Sequence, residues 1–361
     1  MSGKLIGERI KGQTLVCILL VLHLGSFGVF GRTQSNVASV FLSWMLACLL
    51  SVPVIMLWAY LTKKMPSSNL FSMLEQGFGT FFGRIITLLY AMFFLLLAAS
   101  TQFFHADMTR MLVLNHTPFV VLLLLCALFC IHLAKAGTQA LGKWCVLLVA
   151  LTALGTVLFF LFSAPLMQMS NLFPLVLDAG SQLFKNSIRF FAFSIGNTVV
   201  VLALYEGLGR EMSTVKVFFA ATVMIALFSS LVFLRDTAIL GQGGLQASLY
   251  PAYKAAGLIE LGGTGTRVEV FVLLFDLLRG LTKTAVCILA AAGAFARVFQ
   301  CRKNSALMFA TCLTVILALF AFPNVLSGSA FLQLAPVFQL YIPALLCVTL
   351  AFRMKNRKIK V

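Results

Sequence analysis

Charge is scarce in this chain, and acid is scarcest of all. Asp and Glu together number 10 in 361 residues against 27 Lys and Arg, and charged residues amount to 10%. Soluble domains carry roughly 25%, so a water-exposed globular surface is excluded for most of the chain. Metal and disulfide chemistry lack their residues as well. The 4 histidines are scattered, and the 9 cysteines include no C-x-x-C. Cys17, Cys48, Cys126, Cys130, Cys145, Cys287, Cys312 and Cys347 lie within apolar runs, where cysteine acts as a small hydrophobe. Cys126 and Cys130, at i,i+4, therefore read as core. The run Gly262-Gly263-Thr264-Gly265-Thr266 lacks the Gly-Lys-Ser/Thr ending and preceding strand of a phosphate loop, and reads as a turn. Low-complexity tracts, a soluble domain and a catalytic motif are all missing. No enzyme, cofactor or metal is expected.

What the chain has in abundance is apolar length. It is 61% hydrophobic, with a mean hydropathy of +1.03. Several runs reach the roughly 20 residues that span a bilayer as a helix. They are continuously apolar rather than alternating, which excludes a β-barrel. The first is too long for the core of a cleavable signal. The hydropathy predicts an all-α polytopic membrane protein with ten transmembrane helices, at 13–31, 37–61, 82–104, 118–133, 143–164, 187–205, 216–238, 267–297, 305–323 and 330–352.

The net charge of +17 would suggest nucleic acid in a soluble protein. Here the bases flank membrane spans, and the positive-inside rule accounts for them. With the N-terminus inside, Lys4, Arg9, Lys11, Lys63, Lys64, Arg84, Lys135, Lys143, Arg210, Lys216, Arg297, Arg302, Lys303 and the tail 353–361 fall inside. Arg32, Arg110, Lys185, Arg189, Arg235, Lys254 and Arg267 fall outside. Both termini are expected to be cytoplasmic. Two outer loops are long, 164–186 and 239–266, and in the second the spacing from Leu249 to Leu261 predicts a short helix lying along the surface.

Two spans are interrupted. The first carries His23-Leu24-Gly25-Ser26-Phe27-Gly28-Val29-Phe30-Gly31, and the sixth carries Phe190-Phe191-Ala192-Phe193-Ser194-Ile195-Gly196-Asn197. Glycine lowers helix stability by about 1 kcal/mol relative to alanine. Breaks at corresponding places in two halves mark the site in transporters built as inverted repeats, and unwound backbone survives at that depth only against protein or a cavity. A 5+5 inverted repeat follows, with discontinuous helices 1 and 6. Its first half is about 13–164, its second about 187–323, and the last two helices, 305–352, flank the bundle. Gly25, Ser26, Phe27, Gly28, Phe193, Ser194, Gly196 and Asn197 become candidate ligand-binding residues. Close helix packing is the competing explanation of the glycines. Asn197 could contact a ligand or satisfy unwound backbone, and His23 reads first as a packing residue.

The eighth span carries Glu269, Asp276, Arg279 and Lys283 on one helical stripe. Such charges face a bundle interior and pair. Asp276 and Arg279 can pair at i,i+3. Glu269 lies near the interface, and Lys283 lies near mid-span. Glu206 and Glu211, among Arg210 and Lys216, read as a solvated cluster.

At these residues the sequence resembles a known family. Phe190–Asn197 is similar to the sixth helix of amino-acid permeases of the amino acid–polyamine–organocation superfamily. Asn171-Leu172-Phe173-Pro174, Tyr250-Pro251 and Arg267-Val268-Glu269-Val270-Phe271 narrow the resemblance to the endospore germination permeases, the B-subunits of spore germinant receptors. Two departures stand out: Asn197 occupies a position where many such proteins have an acid, and no proline follows the first break. The resemblance implies a LeuT-type fold in the spore inner membrane, a small amino-acid-like ligand, and two partners, an A-type membrane subunit and a C-type lipoprotein. In the superfamily the eighth helix faces the first at a cation site, where the Lys283 ammonium could stand in for the ion. The function so implied is a receptor subunit that signals germination. The alternative is an autonomous proton- or cation-coupled amino-acid transporter.

Overall fold

A computed structural model describes residues 12–26, 35–65, 68–173, 175–204, 214–260, 267–322 and 334–358. They form helices and no strand. The α-helices are α1 (Gly12–Leu24), α2 (Val37–Lys64), α3 (Leu70–Phe78), α4 (Thr80–Leu112), α5 (Phe119–Lys135), α6 (Gly137–Ser163), α7 (Gly180–Phe193), α8 (Val199–Leu204), α9 (Thr214–Ala247), α10 (Pro251–Ala256), α11 (Glu269–Phe299), α12 (Lys303–Phe320) and α13 (Ile342–Lys358). Among the described residues, 7 helical stretches are long and apolar enough to cross a bilayer. Helices α1 and α5 are apolar but shorter, and α11 is long and carries the charges. The chain is a multi-pass integral-membrane protein.

The outer surface is greasy. Leu49, Phe81 and Phe320 are 67%, 70% and 81% exposed, as expected where lipid is the solvent. Between helices, lipid supplies no hydrophobic drive, so close packing of small residues holds them together. The largest helix pair, α4 with α11, shows how. Ala285, Ala290, Ala291, Ala292 and Ala294 of α11 are buried, as are Ala91, Ala98, Ala99 and Ala106 of α4. The α11 backbone can therefore lie close to α4, and charges on that helix are held inside the bundle.

Several segments depart from the sequence expectations. Helix α4 runs to Leu112, past the expected 104, and so takes in Arg110, which the charge count placed in an outer loop; α6 starts at Gly137 rather than 143. Arg235, placed in an outer loop by the charge count, lies within α9 and is 4% exposed. The helix continues past residue 238 because it bends rather than ends. Gly241 has φ +64°, and the Ala238 carbonyl accepts from the Gln168 backbone N–H and the Asn171 side-chain amide, at 3.0 and 2.9 Å. A bend frees a carbonyl, and Asn171 occupies it. The surface helix expected over Leu249–Leu261 is only the six residues of α10. It starts with Pro251 at its first turn, where the missing N–H is harmless, and buries Pro251, Ala255 and Ala256. The span expected at 187–205 begins earlier, at Gly180.

Candidate functional site

The site is built where α1 ends against the interruption after α7. Helix α7 stops at Phe193. Ser194 leaves helical geometry (φ −110°, ψ −83°), a 3-10 turn covers Ile195–Thr198, and α8 follows. An interruption frees carbonyls, which need partners where water is absent. Asn197 Nδ2 donates to the Phe193 carbonyl. Gln339 Nε2 donates to the Ala192 carbonyl at 2.8 Å and to Asn197 Oδ1 at 3.1 Å. Gln339 sits in a π-helical turn, Val337–Tyr341, and is fully buried. Of the two roles open to Asn197, the amide serves the backbone. Gly196 is required by the same packing: a Cβ there would lie 2.1 Å from Gln339 Oε1.

Helix α1 ends at Leu24, with Gly25 and Ser26 in a turn. The Ser26 N–H donates to the His23 carbonyl at 2.9 Å. Phe27 and Gly28, the other two candidates of this break, lie outside the described residues, as do Glu206 and Glu211. His23 Nδ1 stands 3.4 Å from Ser194 Oγ, which joins the end of α1 to the interruption after α7, and His23 Nε2 has no hydrogen-bond partner among the described residues. Gly25 faces protein: a Cβ would be 2.8 Å from the Arg279 carbonyl oxygen of α11.

Lys283 reaches this junction from α11. It is fully buried, donates to Ser26 Oγ, and its Nζ lies 5.1 Å from the centre of the Phe193 ring. Among the described residues it forms no ion pair. An ammonium has three donors, and one hydroxyl plus an aromatic face leaves it under-partnered. One turn earlier, Arg279 Nη2 donates to Asp276 Oδ1 at 2.9 Å, and Asp276 Oδ2 is 3.6 Å from His105 Nε2. The His105 ring lies over Gly280, where a Cβ would come within 2.0 Å of it. Asp276, Arg279 and Lys283 are thus all inside the bundle; of their side chains only that of Lys283 meets the α1/α7 junction, where Arg279 contributes its backbone carbonyl. Glu269, near the start of α11, is not buried.

Sequence reasoning missed Gln339, His105 and the Arg235–Asp236 pair. The last had a signal, since adjacent opposite charges flanked by Leu-Val-Phe-Leu and Thr-Ala-Ile-Leu are costly in hydrocarbon unless buried and paired. The amide and the imidazole had none, because each is explained by a glycine distant in sequence.

The fold has solved counterparts. MHP1, a nucleobase-cation-symport-1 family transporter with bromovinylhydantoin bound, superposes with a TM-score of 0.69 at 12% identity, over 94% of this chain and 78% of that one. A Na+-coupled sialic acid symporter gives 0.61 at 14%, over 94% and 79%. A manganese transporter of Eremococcus coleocola gives 0.53 at 12%, over 92% and 75%. These likenesses show an all-α, multi-pass fold that resembles the LeuT-type 5+5 inverted-repeat architecture. By sequence, Spore germination protein A2 of Bacillus subtilis (strain 168) is 26% identical over 184 residues, which are 51% of this chain and 50% of that relative. The matched stretch thus spans about half of the relative's length. The family model described as "Spore germination protein" covers residues 9–324. That coverage takes in every described site residue except Gln339, and the chain belongs to the spore germination protein family, the spore permeases.

Proposed function

We propose that the chain is a solute-binding permease of the germination machinery, with ten spans, discontinuous first and sixth helices, and a small amino-acid-like solute held at the α1/α7 junction. The observation that carries this reading is Lys283. A buried ammonium with a single described acceptor, beside two helix interruptions, suits a carboxylate that brings charge and acceptors together. Ser26 and Ser194 add hydroxyls, and Phe193 offers an apolar wall. The ammonium is also a fixed cation between α1 and α11, so solute binding at this junction is independent of Na+.

Two uses of the bound solute remain. Passage through the bundle comes first, because the fold is shared with the transporters and the symporter named above. Sensing comes second, favoured by the family's germination description: the bound state would be read by an A-type subunit and a lipoprotein in the spore inner membrane. The test uses the full chain in nanodiscs with a panel of apolar amino acids. Binding raises the apparent Tm, equally in NaCl and KCl. Lys283→Met reduces the shift at least to half while the protein still unfolds cooperatively. A shift that is unchanged by Lys283→Met, or that requires Na+, overturns the assignment. Uptake of the binding amino acid into proteoliposomes then separates passage from sensing.

A further inference from the structure

A cavity of about 90 Å³ lies away from the α1/α7 junction, between α9, α10 and α11, with further walls from α4 and α6. Neither Ser26, Phe193 nor Lys283 lines it. Four of its lining side chains are charged, two of each sign: Arg235 and Asp236 on α9, Asp276 and Arg279 on α11. All four are more than nine-tenths buried, at 4%, 4%, 9% and 9% exposure. The rest of the wall is largely apolar, with the aromatic side chains of Phe159, Phe275 and Tyr253 among its members.

Each pair is formed within one helix and leaves capacity unused. Arg235 Nε and Nη2 both donate to Oδ1 of Asp236, at 2.9 and 2.6 Å. Arg279 donates through Nη2 to Asp276, and its buried Nε has no hydrogen-bond partner among the described residues. A guanidinium has five donors. Buried ion pairs contribute little to stability compared with apolar packing of the same volume, so stability alone does not account for two of them around one cavity. Their arrangement does fit recognition: a concave apolar chamber with a few convergent polar groups is the usual form of a small-molecule site.

We propose that this cavity is a second solute site, and that it takes a small zwitterion with an apolar side chain, such as an α-amino acid. The four lining charges sum to zero, so the ligand that leaves no surplus is itself neutral overall and carries both signs. Its carboxylate is held by a guanidinium, its ammonium by an aspartate, and its side chain rests on the aromatic wall. A plain carboxylate or amine would satisfy one sign and strand the other. The site is coupled to the α1/α7 junction through α11, because the Arg279 carbonyl is the group packed on Gly25.

The test is equilibrium binding of radiolabelled L-valine to the full chain in nanodiscs, competed by isobutylamine and by isovalerate. These probes lack the carboxylate and the amino group respectively. The double variant Arg235→Gln/Asp236→Asn removes both charges of one pair together, so no lone charge is left buried. Its thermal unfolding is measured in parallel. L-Valine binding at the cavity is expected to weaken at least tenfold in the double variant and to persist in Lys283→Met. The two competitors are each expected to be at least tenfold poorer than valine. Loss of all binding in Lys283→Met with none in the double variant would leave the junction site standing and overturn this one. Isovalerate or isobutylamine competing as well as valine, or no valine binding by the wild type, would also overturn it. A double variant that unfolds at the wild-type temperature and still binds valine normally would do the same.

Discussion

At the scale of single residues, two glycines of the interruptions are explained by what touches them. The sequence shows glycine where helix should continue and leaves two explanations, approach of a ligand or approach of another helix. At Gly25 the neighbour is the Arg279 carbonyl, a backbone atom that no rotamer change can move. Gly25→Ala is expected to destabilise by about 1–3 kcal/mol, as overpacking does. Membrane abundance and solute response should then fall together; response lost at unchanged abundance would instead favour a ligand at this glycine. Gly196 differs because its neighbour is a side chain. Gly196→Ala would push aside the Gln339 amide and break its bonds to Ala192 and Asn197. Leaving such groups buried and unpaired costs about 1–3 kcal/mol. Gln339→Ala already loses those bonds and opens the space, so adding Gly196→Ala to it should cost much less than in the wild type. Thermal unfolding of the four proteins measures this coupling, and simple additivity would show that Gln339 does not guard Gly196. Nothing in the sequence near Gln339 announces the role. It is one amide in an apolar stretch, and its partner belongs to a helix far away in the chain.

At the scale of elements, the sequence was most readable where periodicity and length decide. Helices α2, α5 and α12 fall within a few residues of their hydropathy runs, because burial or lipid contact on all sides requires continuous apolar helix. It was least readable where a backbone polar group meets a distant side chain. The bend of α9 needs Asn171 at the freed Ala238 carbonyl, and without that contact the segment reads as a loop beginning near residue 239. Helix α3 shows a similar dependence. It is held to the far end of α11 by Glu75, which accepts from Arg297 at 2.7 and 3.1 Å, while Arg297 also donates to Ser72 at 3.0 Å. The Arg297 hydrogen bonds hold the Glu75 carboxyl below its ordinary range; partial burial opposes this, and the charges of Arg297 and Arg84 add to it. A depressed carboxylate stabilises the fold above its unfolded pKa and loses that contribution as pH falls through the folded value. Partly exposed, the pair contributes roughly 0.5–1 kcal/mol at pH 7 after screening. Glu75→Gln is therefore expected to unfold slightly earlier than the wild type at neutral pH. The gap should begin to narrow as pH falls through the ordinary glutamate pKa, about 4.3, and close only below the depressed folded value. A gap that persists in acid would show that Glu75 acts through packing rather than charge.

At the scale of the whole molecule, the inverted-repeat architecture could be inferred from two matched interruptions, whereas the charged chamber between α9 and α11 could not. The chamber depends on how far α9 continues and on the rotation of two helices, and neither is written in local composition. What the sequence does specify globally is a charge asymmetry, and the structure gives it two ends. Lys63 and Lys64 close α2, Arg84 and Arg297 both meet Glu75 on α3, and Arg302 and Lys303 open α12. At the opposite end of α11 lie Arg267 and α10 with Lys254. From the bias of short basic loops toward the cytoplasm, the first end is expected on the inside. Cys301, exposed between α11 and α12, reports on that end without any substitution, and Lys254→Cys on α10 reports on the other. The exposed thiol of Cys312 lies within the apolar helix α12, where a charged reagent in water does not reach it. A membrane-impermeant maleimide is expected to label Lys254→Cys from the outside of intact cells. Cys301 should label only in inside-out vesicles. Labelling of both from one face would contradict the placement of α10 and the α11–α12 connection at opposite ends of the bundle. Labelling with the sides exchanged would keep the fold and reverse its orientation, which would put the α9–α11 chamber at the cytoplasmic end and leave it unable to meet a solute arriving from outside.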